Sequence, residues 1–323
     1  MNLKILYLAK SPCDHDTRAV LQSVGTLEER VLSREELLRV VGQYDVILTD
    51  LEHYFDEPLL REARKLRILA SASTGLDHLD LQYCRRRNIT VLSLACGAAV
   101  LERVSATAEL TWGLILGLIR KIPAALKSVT EEERWDRERF RTYELQGKTL
   151  GIIGYGRLGR MVARYGEAFG MIILVSDPQV KTVPPGMRLL PLEDLLRQSD
   201  IISVHVRLQD DTIGFLGPRE FALMKPGAWL VNSSRGLLVD EEALLAALES
   251  GRLRGAALDV LSGEEKRGPG WLKENKLVRY AQRHDNLLIT PHIGGATLDS
   301  QRKVNLHMAE LIRQCFAAGK GPS

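Results

Sequence analysis

Three side chains in the second half of the sequence have the chemistry of a redox site for hydroxy acids. Arg235 follows an apolar run, and Glu264 and His292 come after it at wide spacing. An arginine guanidinium is a planar, permanent cation that can bind a carboxylate through two hydrogen bonds. A histidine can take up and release a proton near neutral pH. A carboxylate-binding fork, an acid and a base together suggest redox chemistry on a hydroxy acid.

A glycine-rich segment lies upstream of these residues. Gly154, Gly156 and Gly159 have the spacing Gly-x-Gly-x-x-Gly, after an apolar run and before a helical pattern. In such a turn the first glycine permits the sharp bend, the second lets the backbone approach a pyrophosphate, and the third lets helix and strand pack closely. The helix N-terminus stabilises the phosphate charge. The pattern alone is weak evidence, but its context agrees, so we predict a dinucleotide site.

Asp177 ends the next apolar run, eighteen residues after Gly159. Its carboxylate can accept hydrogen bonds from both ribose hydroxyls of NAD, whereas it would repel the extra phosphate of NADP. NAD is therefore the expected cofactor, and NADP is less favoured, although the cation Arg157 leaves the preference open. Asp177 also precedes Pro178, so a simple turn residue is the alternative interpretation.

The elements that must position these residues alternate along the chain. Short apolar runs separated by helical patterns form two series, which predicts the α/β class with two doubly wound parallel sheets. The second series, with six runs, suits a nucleotide-binding sheet. A helical stretch at 101–127, broken at Pro123, lies between the series. The first series lies at 5–8, 46–49, 68–72 and 90–92, and the second at 149–153, 171–176, 201–205, 229–232, 255–259 and 287–290.

Composition limits the classes of protein. The 323 residues, 45% of them hydrophobic, suffice for two domains with cores, and a net charge of +3 gives no reason to expect a nucleic acid or membrane partner. The most apolar segment, 110–119, is shorter than the ~20 residues of a membrane span. Four dispersed cysteines predict neither disulfides nor a metal site. Reduced thiols and the absence of a signal-peptide pattern at the start favour a cytoplasmic protein.

The motifs together resemble those of the D-isomer-specific 2-hydroxyacid dehydrogenase family, which includes phosphoglycerate dehydrogenases and hydroxypyruvate or glyoxylate reductases. The resemblance covers nearly the whole chain and implies an NAD-binding Rossmann domain at 104–292. This domain would be inserted in a flavodoxin-like substrate domain at 1–103 and 293–323, with the cleft between the two. The matching segments are 74–80, 154–159, 231–240, 257–260 and 290–297.

The resemblance implies a role for each of the three reactive side chains. His292 would be the general acid and base, and Glu264 would pair with it and orient the ring. Arg235 would bind the substrate carboxylate and polarise the adjacent carbonyl. The alternatives are a structural histidine, a solvated loop glutamate, and a buried ion pair of Arg235 with Asp240 or Asp259.

The choice of glutamate depends on its distance from Asp259. Glu264 lies five residues after Asp259, which matches the family order Asp-Val-x-x-x-Glu, whereas Glu265 stands where family members commonly have proline. We therefore favour Glu264. The role of the segment 265–286, which is longer than the usual family loop, stays open. A carboxylate at this position fits hydroxy acids better than formate, because formate-type dehydrogenases resemble each other in having glutamine there.

The resemblance also implies binding contacts, and an exposed glycine turn can supply N–H donors for a carboxylate. For 73–75 the alternative is a plain turn after a strand. The implied substrate contacts are Ser73, Thr74, Gly75, Arg235 and His292, and the implied cofactor contacts are Thr74, Gly154, Gly156, Arg157, Leu158, Gly159, Asp177, His205, Thr212, Ser233, Ser234, Asp259, Gly294 and Gly295.

The sequence thus predicts an NAD-dependent D-2-hydroxyacid dehydrogenase, and family resemblance implies a homodimer formed through the nucleotide domain and the 101–127 stretch. The candidate substrates are glyoxylate, hydroxypyruvate, pyruvate and phosphorylated acids. The preferred direction of the reaction stays open. The alternative is an NAD-responsive binding protein like the family's corepressor branch. A serine hydrolase is disfavoured because no Gly-x-Ser-x-Gly motif occurs. Because the sequence ends soon after the helical pattern at 298–316, we expect no added regulatory domain.

Overall fold

The structure, a computed structural model, describes residues 3–49, 51, 53–96, 98–264 and 270–317. The chain divides into two compact units. Unit 1 comprises Met1–Val104 and Thr297–Ser323, and unit 2 comprises Ser105–Ala296. Each unit contains one parallel β-sheet. The assignment of substrate and NAD-binding domains within the chain stays a prediction.

Unit 1 contains a five-stranded parallel sheet with the order β2-β1-β3-β4-β5, which is the flavodoxin-like order. The predicted parallel α/β class is confirmed, but the prediction missed β2. This edge strand has the sequence GTLEER, and its charged, partly exposed residues lack the apolar run of a buried parallel strand. The strands are β1 Leu3–Leu8, β2 Gly25–Arg30, β3 Val46–Thr49, β4 Ile68–Ser71 and β5 Thr90–Ser93.

Helices cover both faces of this sheet. Leu6 and Leu8 of β1 pack in one hydrophobic cluster, whereas Ile5 and Tyr7 pack in another, because successive side chains of a strand point to opposite faces. The parallel sheet is therefore buried on both sides. The first helices of the chain are α1 His15–Gln22, α2 Arg34–Val40, α3 Glu57–Glu62, α4 Leu81–Arg86 and α5 Ala98–Leu101.

Unit 2 contains a seven-stranded parallel sheet with the order β12-β11-β10-β9-β6-β7-β8. Counted from β6, this is the Rossmann order 3-2-1-4-5-6 with one further strand at the edge. All six predicted strands are present, but the prediction missed β8, which has two residues, too few for a hydrophobic pattern. The strands are β6 Thr149–Ile153, β7 Ile172–Ser176, β8 Arg188–Leu189, β9 Ile201–Val204, β10 Ala228–Asn232, β11 Leu253–Leu258 and β12 Leu287–Ile289.

The predicted helix break at Pro123 was also wrong. The stretch contains two helices that meet before Pro123. The first ends at Ile119, and Lys121 adopts a left-handed conformation with φ 52°. Pro123 lies in the first turn of the next helix, where a missing N–H donor costs nothing. The helices of unit 2 are α6 Ala106–Ile119, α7 Ile122–Thr130, α8 Arg157–Ala168, α9 Leu192–Gln198, α10 Pro218–Leu223, α11 Glu241–Glu249, α12 Trp271–Glu274 and α13 Lys276–Ala281.

The last helix, α14 Leu298–Ala317, belongs to unit 1. Val304, Met308 and Ile312 are spaced four residues apart, so they lie on one face of α14, and all three are buried. They pack in the same cluster as Ile5 of β1. Of the helices that the structure describes, none is long and apolar enough to cross a membrane.

Candidate active site

The turn between β6 and α8 requires glycine at two of the three predicted positions. Gly154 has φ +89°, and a Cβ there would lie 2.6 Å from the carbonyl oxygen of His205. A Cβ on Gly159 would lie 2.1 Å from the carbonyl oxygen of Gly154. Gly154 therefore allows the sharp bend, and Gly159 allows α8 to pack directly on the turn.

The third glycine, Gly156, is the N-cap of α8 and stands in open space. A Cβ there would meet no described atom within 4 Å, and no described side chain caps the helix. The first N–H groups of this twelve-residue helix are thus available to an anion, which the helix dipole also favours. This local geometry fits the pyrophosphate of a dinucleotide.

Asp177 follows β7 and is half-buried beside this turn. Its Oδ2 accepts a hydrogen bond from the backbone N–H of Tyr155 at 2.8 Å, and its Oδ1 accepts one from Gln179 at 2.8 Å. The hydrogen bond from Gln179 closes a turn at Asp177, which agrees with the alternative interpretation of Asp177 as a turn residue. The carboxylate also lies next to the glycine turn, and each oxygen has a second lone pair for a further donor.

His205 follows β9 and is half-buried, with its Nδ1 atom fully buried. Its Nε2 lies 2.8 Å from Ser203 Oγ, whereas its buried Nδ1 has no hydrogen-bond partner among the described residues. Burial lowers the pKa of His205 to about 4, so the ring is neutral near pH 7. Thr212 is engaged within its own loop, where its hydroxyl accepts a hydrogen bond from Gln209 N–H at 2.8 Å. An unpartnered buried nitrogen beside the Gly154 turn is a group that a bound cofactor could satisfy.

The loop after β10 is folded by Asn232, which sequence analysis did not assign to the site. Its side chain accepts a hydrogen bond from Ser234 N–H at 3.0 Å and donates one to the carbonyl of Arg235 at 2.8 Å. The hydroxyl of Ser234 donates to the carbonyl of Val204 at 2.7 Å. The hydroxyl of Ser233 lies 2.7 Å from that of Thr111 on α6. Both serine hydroxyls therefore contact neighbouring elements of unit 2.

Arg235 is half-buried in this loop, three residues beyond the end of β10. Its Nη1 donates a hydrogen bond to the carbonyl of Ser234 at 2.7 Å. Both acids named as alternative partners bind other donors. Asp240 caps the first turn of α11, and Asp259 accepts hydrogen bonds from the loop that carries His292.

Asp259 is 1% exposed and fixes that loop. Its Oδ1 accepts hydrogen bonds from Thr290 Oγ1 at 2.6 Å and from Ile293 N–H at 2.9 Å, and its Oδ2 accepts one from Gly294 N–H at 2.7 Å. The backbone N–H of His292 donates to the Asp259 carbonyl at 2.8 Å. Burial raises the pKa of Asp259, and the three donors oppose this effect.

The structure brings Glu264 and His292 together. His292 Nδ1 lies 2.6 Å from Glu264 Oε1, and the two side chains are 25% and 17% exposed. The second carboxylate oxygen accepts a hydrogen bond from Leu261 N–H at 3.3 Å. His292 has φ 53°, a conformation that few side chains adopt. Because Glu264 contacts Nδ1, Nε2 is the nitrogen left to exchange a proton with a substrate. Glu265, the other candidate, lies outside the described residues.

The predicted substrate contacts of unit 1 lie in the turn after β4. Ser73 Oγ donates to the carbonyl of Gly75 at 2.7 Å and lies 2.8 Å from Ser71 Oγ. Thr74 is exposed. In unit 2, Arg157 lies 4.0 Å from the sulfur of Met161, Leu158 packs on the core, Gly294 is buried and Gly295 is exposed. Within the described residues, no group of three or more His, Cys, Asp or Glu could hold a metal ion.

Comparison with known proteins gives consistent matches. Residues 112–294 match the model of the D-isomer specific 2-hydroxyacid dehydrogenase NAD binding domain. The chain is 36% identical over 312 residues to a D-3-phosphoglycerate dehydrogenase of Methanocaldococcus jannaschii, covering 95% of this chain and 56% of the relative. It is 33% identical over 303 residues to a hydroxypyruvate reductase of Thermotoga maritima, covering 93% of this chain and 95% of the relative.

A solved structure shares the fold. The D-lactate dehydrogenase of Aquifex aeolicus, in complex with NAD and lactic acid, superposes with a TM-score of 0.82 at 28% identity, covering 98% of this chain and 96% of that one. The chain spans little more than half the length of the phosphoglycerate dehydrogenase relative. More than half of the sequence nevertheless matches the family model, whose domain binds NAD. This chain is therefore a member of the D-isomer specific 2-hydroxyacid dehydrogenase family.

Proposed function

We propose that this protein is an NAD-dependent D-2-hydroxyacid dehydrogenase that interconverts a small 2-hydroxy acid and its 2-keto acid. The observation that carries the proposal is the 2.6 Å contact between Glu264 and His292 in a chain of this family. Relatives named D-3-phosphoglycerate dehydrogenase and hydroxypyruvate reductase make hydroxypyruvate and its phosphorylated form the first substrates to test. When bound, NAD accepts or donates the hydride, and the chain handles the proton and the carboxylate.

His292 Nε2 takes the hydroxyl proton during oxidation and returns a proton to the carbonyl oxygen during reduction. Glu264 holds the ring through Nδ1 and stabilises the imidazolium that forms. Arg235 binds the substrate carboxylate as a fork and polarises the adjacent carbonyl. Backbone N–H groups near Thr74 and Gly75 are further proposed substrate contacts. A guanidinium is needed because the compact ammonium of a lysine cannot bind a carboxylate in the same bidentate way.

The cofactor is held by the elements around the glycine turn. Gly156 and the first turn of α8 bind the pyrophosphate, and Asp177 binds the ribose hydroxyls, which favours NAD over NADP. His205 supplies Nδ1, which has no hydrogen-bond partner in the part of the chain that the structure describes. The remaining proposed contacts are Thr74, Gly154, Arg157, Leu158, Gly159, Thr212, Ser233, Ser234, Asp259, Gly294 and Gly295.

We also infer that the protein is a homodimer. Ile122, Leu126 and Val129 of α7 are 44%, 60% and 46% exposed, and their spacing of four and three residues puts them on one face of the helix. Trp135, shortly after this helix, is 91% exposed. Such apolar side chains close together on a surface mark a protein interface. A cytoplasmic location is likewise proposed, and the free, buried thiols of Cys13 and Cys84 support it.

The test of function is the loss of NADH absorbance with glyoxylate, pyruvate, hydroxypyruvate, phosphohydroxypyruvate and branched 2-keto acids, in parallel with NADPH. Turnover with at least one acid is expected, with NADH preferred. Tight NADH binding without turnover on any of them would favour the NAD-responsive binding protein.

Substitutions test the roles of individual residues. His292→Asn should lower kcat by about 10²-fold or more, because general acid–base catalysis contributes about 10²–10⁴-fold. The dissociation constant for NADH, measured by fluorescence, should stay unchanged. Near-wild-type turnover of the folded variant would contradict the mechanism.

Arg235→Lys should raise KM and lower kcat together, because it weakens both binding and polarisation of the substrate.

A further inference from the structure

Glu241 is a half-buried carboxylate that has no task in the proposed mechanism. It is the first residue of α11, and its Oε1 accepts a hydrogen bond from the backbone N–H of Ser262 at 2.6 Å. Its side chain also forms hydrogen bonds with the side chains of Ser262 and Asn275, and Asn275 caps the N-terminus of α13. One carboxylate therefore ties the loop after β11 to two helices.

Capping of α11 does not explain this carboxylate. Asp240 is the N-cap of the helix, and its side chain accepts hydrogen bonds from the N–H groups of Glu242 and Ala243. Burial raises the pKa of Glu241, whereas its hydrogen bonds to Ser262 and Asn275 favour the charged form. A carboxylate that is partly desolvated and directed at a loop, with the cap already supplied, indicates that its task lies in that loop.

The peptide between Leu261 and Ser262 is held from a second direction. A Cβ on Gly236 would lie 2.1 Å from the carbonyl carbon of Leu261 and 2.3 Å from the nitrogen of Ser262. Gly236 directly follows Arg235, so the loop that carries the proposed carboxylate-binding residue packs on this same peptide. Glu241 and Gly236 together fix its position.

Glu264 is held by the two peptides that flank Leu261: its side chain binds the 260–261 peptide, and its backbone N–H binds the 261–262 peptide. Its Oε2 accepts a hydrogen bond from Leu261 N–H at 3.3 Å, and its own N–H donates to the carbonyl of Leu261 at 3.4 Å. Its Oε1 is the atom that lies 2.6 Å from His292 Nδ1. A shift of the 261–262 peptide would therefore move the carboxylate relative to the imidazole.

We propose that Glu241 is a positioning residue, whose hydrogen bonds to Ser262 direct Glu264 at His292 and steady the Arg235 loop. The kinetic consequence rests on the proposed function, whereas the orientation of the imidazole does not. In an enzyme a misplacement of about 1 Å by a distant substitution can cost about 10²-fold in rate. Loss of the Glu241 carboxylate should therefore lower kcat more than it changes the binding of the dinucleotide.

The test compares Glu241→Leu, which fills the space without an acceptor, with Glu241→Gln, which keeps one acceptor oxygen. Full-length protein labelled with ¹⁵N-histidine reports the ring nitrogens of His292, assigned from the resonance that is missing in His292→Asn. Glu242→Gln is the matched control, because Glu242 is exposed and pairs with Lys276 at 2.7 Å. Glu241→Leu should shift the His292 ring resonances and lower kcat about tenfold or more, at an unchanged NADH dissociation constant.

Glu241→Gln should restore part of both effects, and Glu242→Gln should match the wild type. Unchanged His292 resonances in folded Glu241→Leu overturn the proposal. If that variant does not fold, the same measurement of the His292 resonances is made on Glu241→Ala, which also lacks an acceptor. Absence of turnover in the wild type with every 2-keto acid would contradict the proposed function, yet the resonances would still decide the positioning role.

Discussion

At the scale of single residues, His205 couples the site to the stability of the fold. His205 is half-buried beside Ser203, and the burial of its Nδ1 side lowers its pKa from 6.5 to about 4. In the unfolded chain the ring takes up a proton below pH 6.5, whereas the folded chain keeps it neutral down to about pH 4. Between these values the unfolded state binds more protons, so stability rises with pH across this window and falls on acidification.

His205→Asn should remove this pH dependence. Lowering the pH from 7 to 5 should cost the wild type about 2 kcal/mol of unfolding free energy through this ring, and the variant nothing through this position. Urea unfolding of both proteins at several pH values gives the difference. Parallel curves for the wild type and the variant between pH 7 and 5 would show that the ring titrates alike in both states.

The resemblance to the family implied the pairing of Glu264 with His292, and the structure places their atoms 2.6 Å apart. The same reasoning gave Asp259 only a contact with the cofactor. In the structure its carboxylate binds Thr290, Ile293 and Gly294. Hydrogen bonds over more than thirty positions leave no local pattern in a sequence, since each partner also fits an ordinary turn. Sequence reasoning missed Glu241 for a similar reason, because its partner Ser262 lies 21 positions away.

At the scale of elements, the β6–α8 turn separates two kinds of glycine. Gly159 is required by packing, because a Cβ would lie 2.1 Å from a backbone oxygen, whereas Gly156 has open space at its Cβ position. Gly156 also has φ −71°, which any residue adopts. The fold therefore does not require glycine at Gly156, and the proposed contact with the pyrophosphate is the reason we give for it.

Alanine at each position should separate these requirements. Gly159→Ala should lower the unfolding free energy by about 1–3 kcal/mol, because overpacking forces a shift of backbone. Gly156→Ala should unfold like the wild type but bind NADH more weakly, since the added methyl lies where the pyrophosphate approaches. Thermal unfolding and NADH titration of both variants check this. An unchanged NADH affinity of Gly156→Ala would argue against the pyrophosphate position.

Sequence patterns predicted most elements of both sheets but not their edges. β2 was missed because its charges suit an exposed edge, and β8 because it is too short. The helix break was assigned to Pro123 because proline is the stronger sequence signal, yet the bend lies at Lys121. A left-handed lysine has no signature, because tertiary packing and not intrinsic preference fixes that backbone.

At the scale of the whole molecule, the exposed face of α7 predicts assembly. Leu126→Asp places a charge in the middle of the face formed with Ile122 and Val129. A buried, unpaired charge is costly, so the variant should sediment as a monomer at concentrations where the wild type is a dimer. Arg64→Asp, on an exposed side chain of unit 1, is the control and should not change the sedimentation. A monomeric wild type would remove the proposed homodimer.

The discontinuous path of unit 1 sets an order in time during synthesis. The five strands of its sheet end at Ser93, but α14, which covers one face with Val304, Met308 and Ile312, begins at Leu298. A ribosome that adds about 5–20 residues per second needs about 10–40 s for the intervening chain. Unit 2 is continuous and can fold during that interval. Unit 1, whose sheet is synthesised first, is thus the last unit to be completed. Until α14 is synthesised, the nascent chain exposes to chaperones, for tens of seconds, the apolar side chains that α14 will cover.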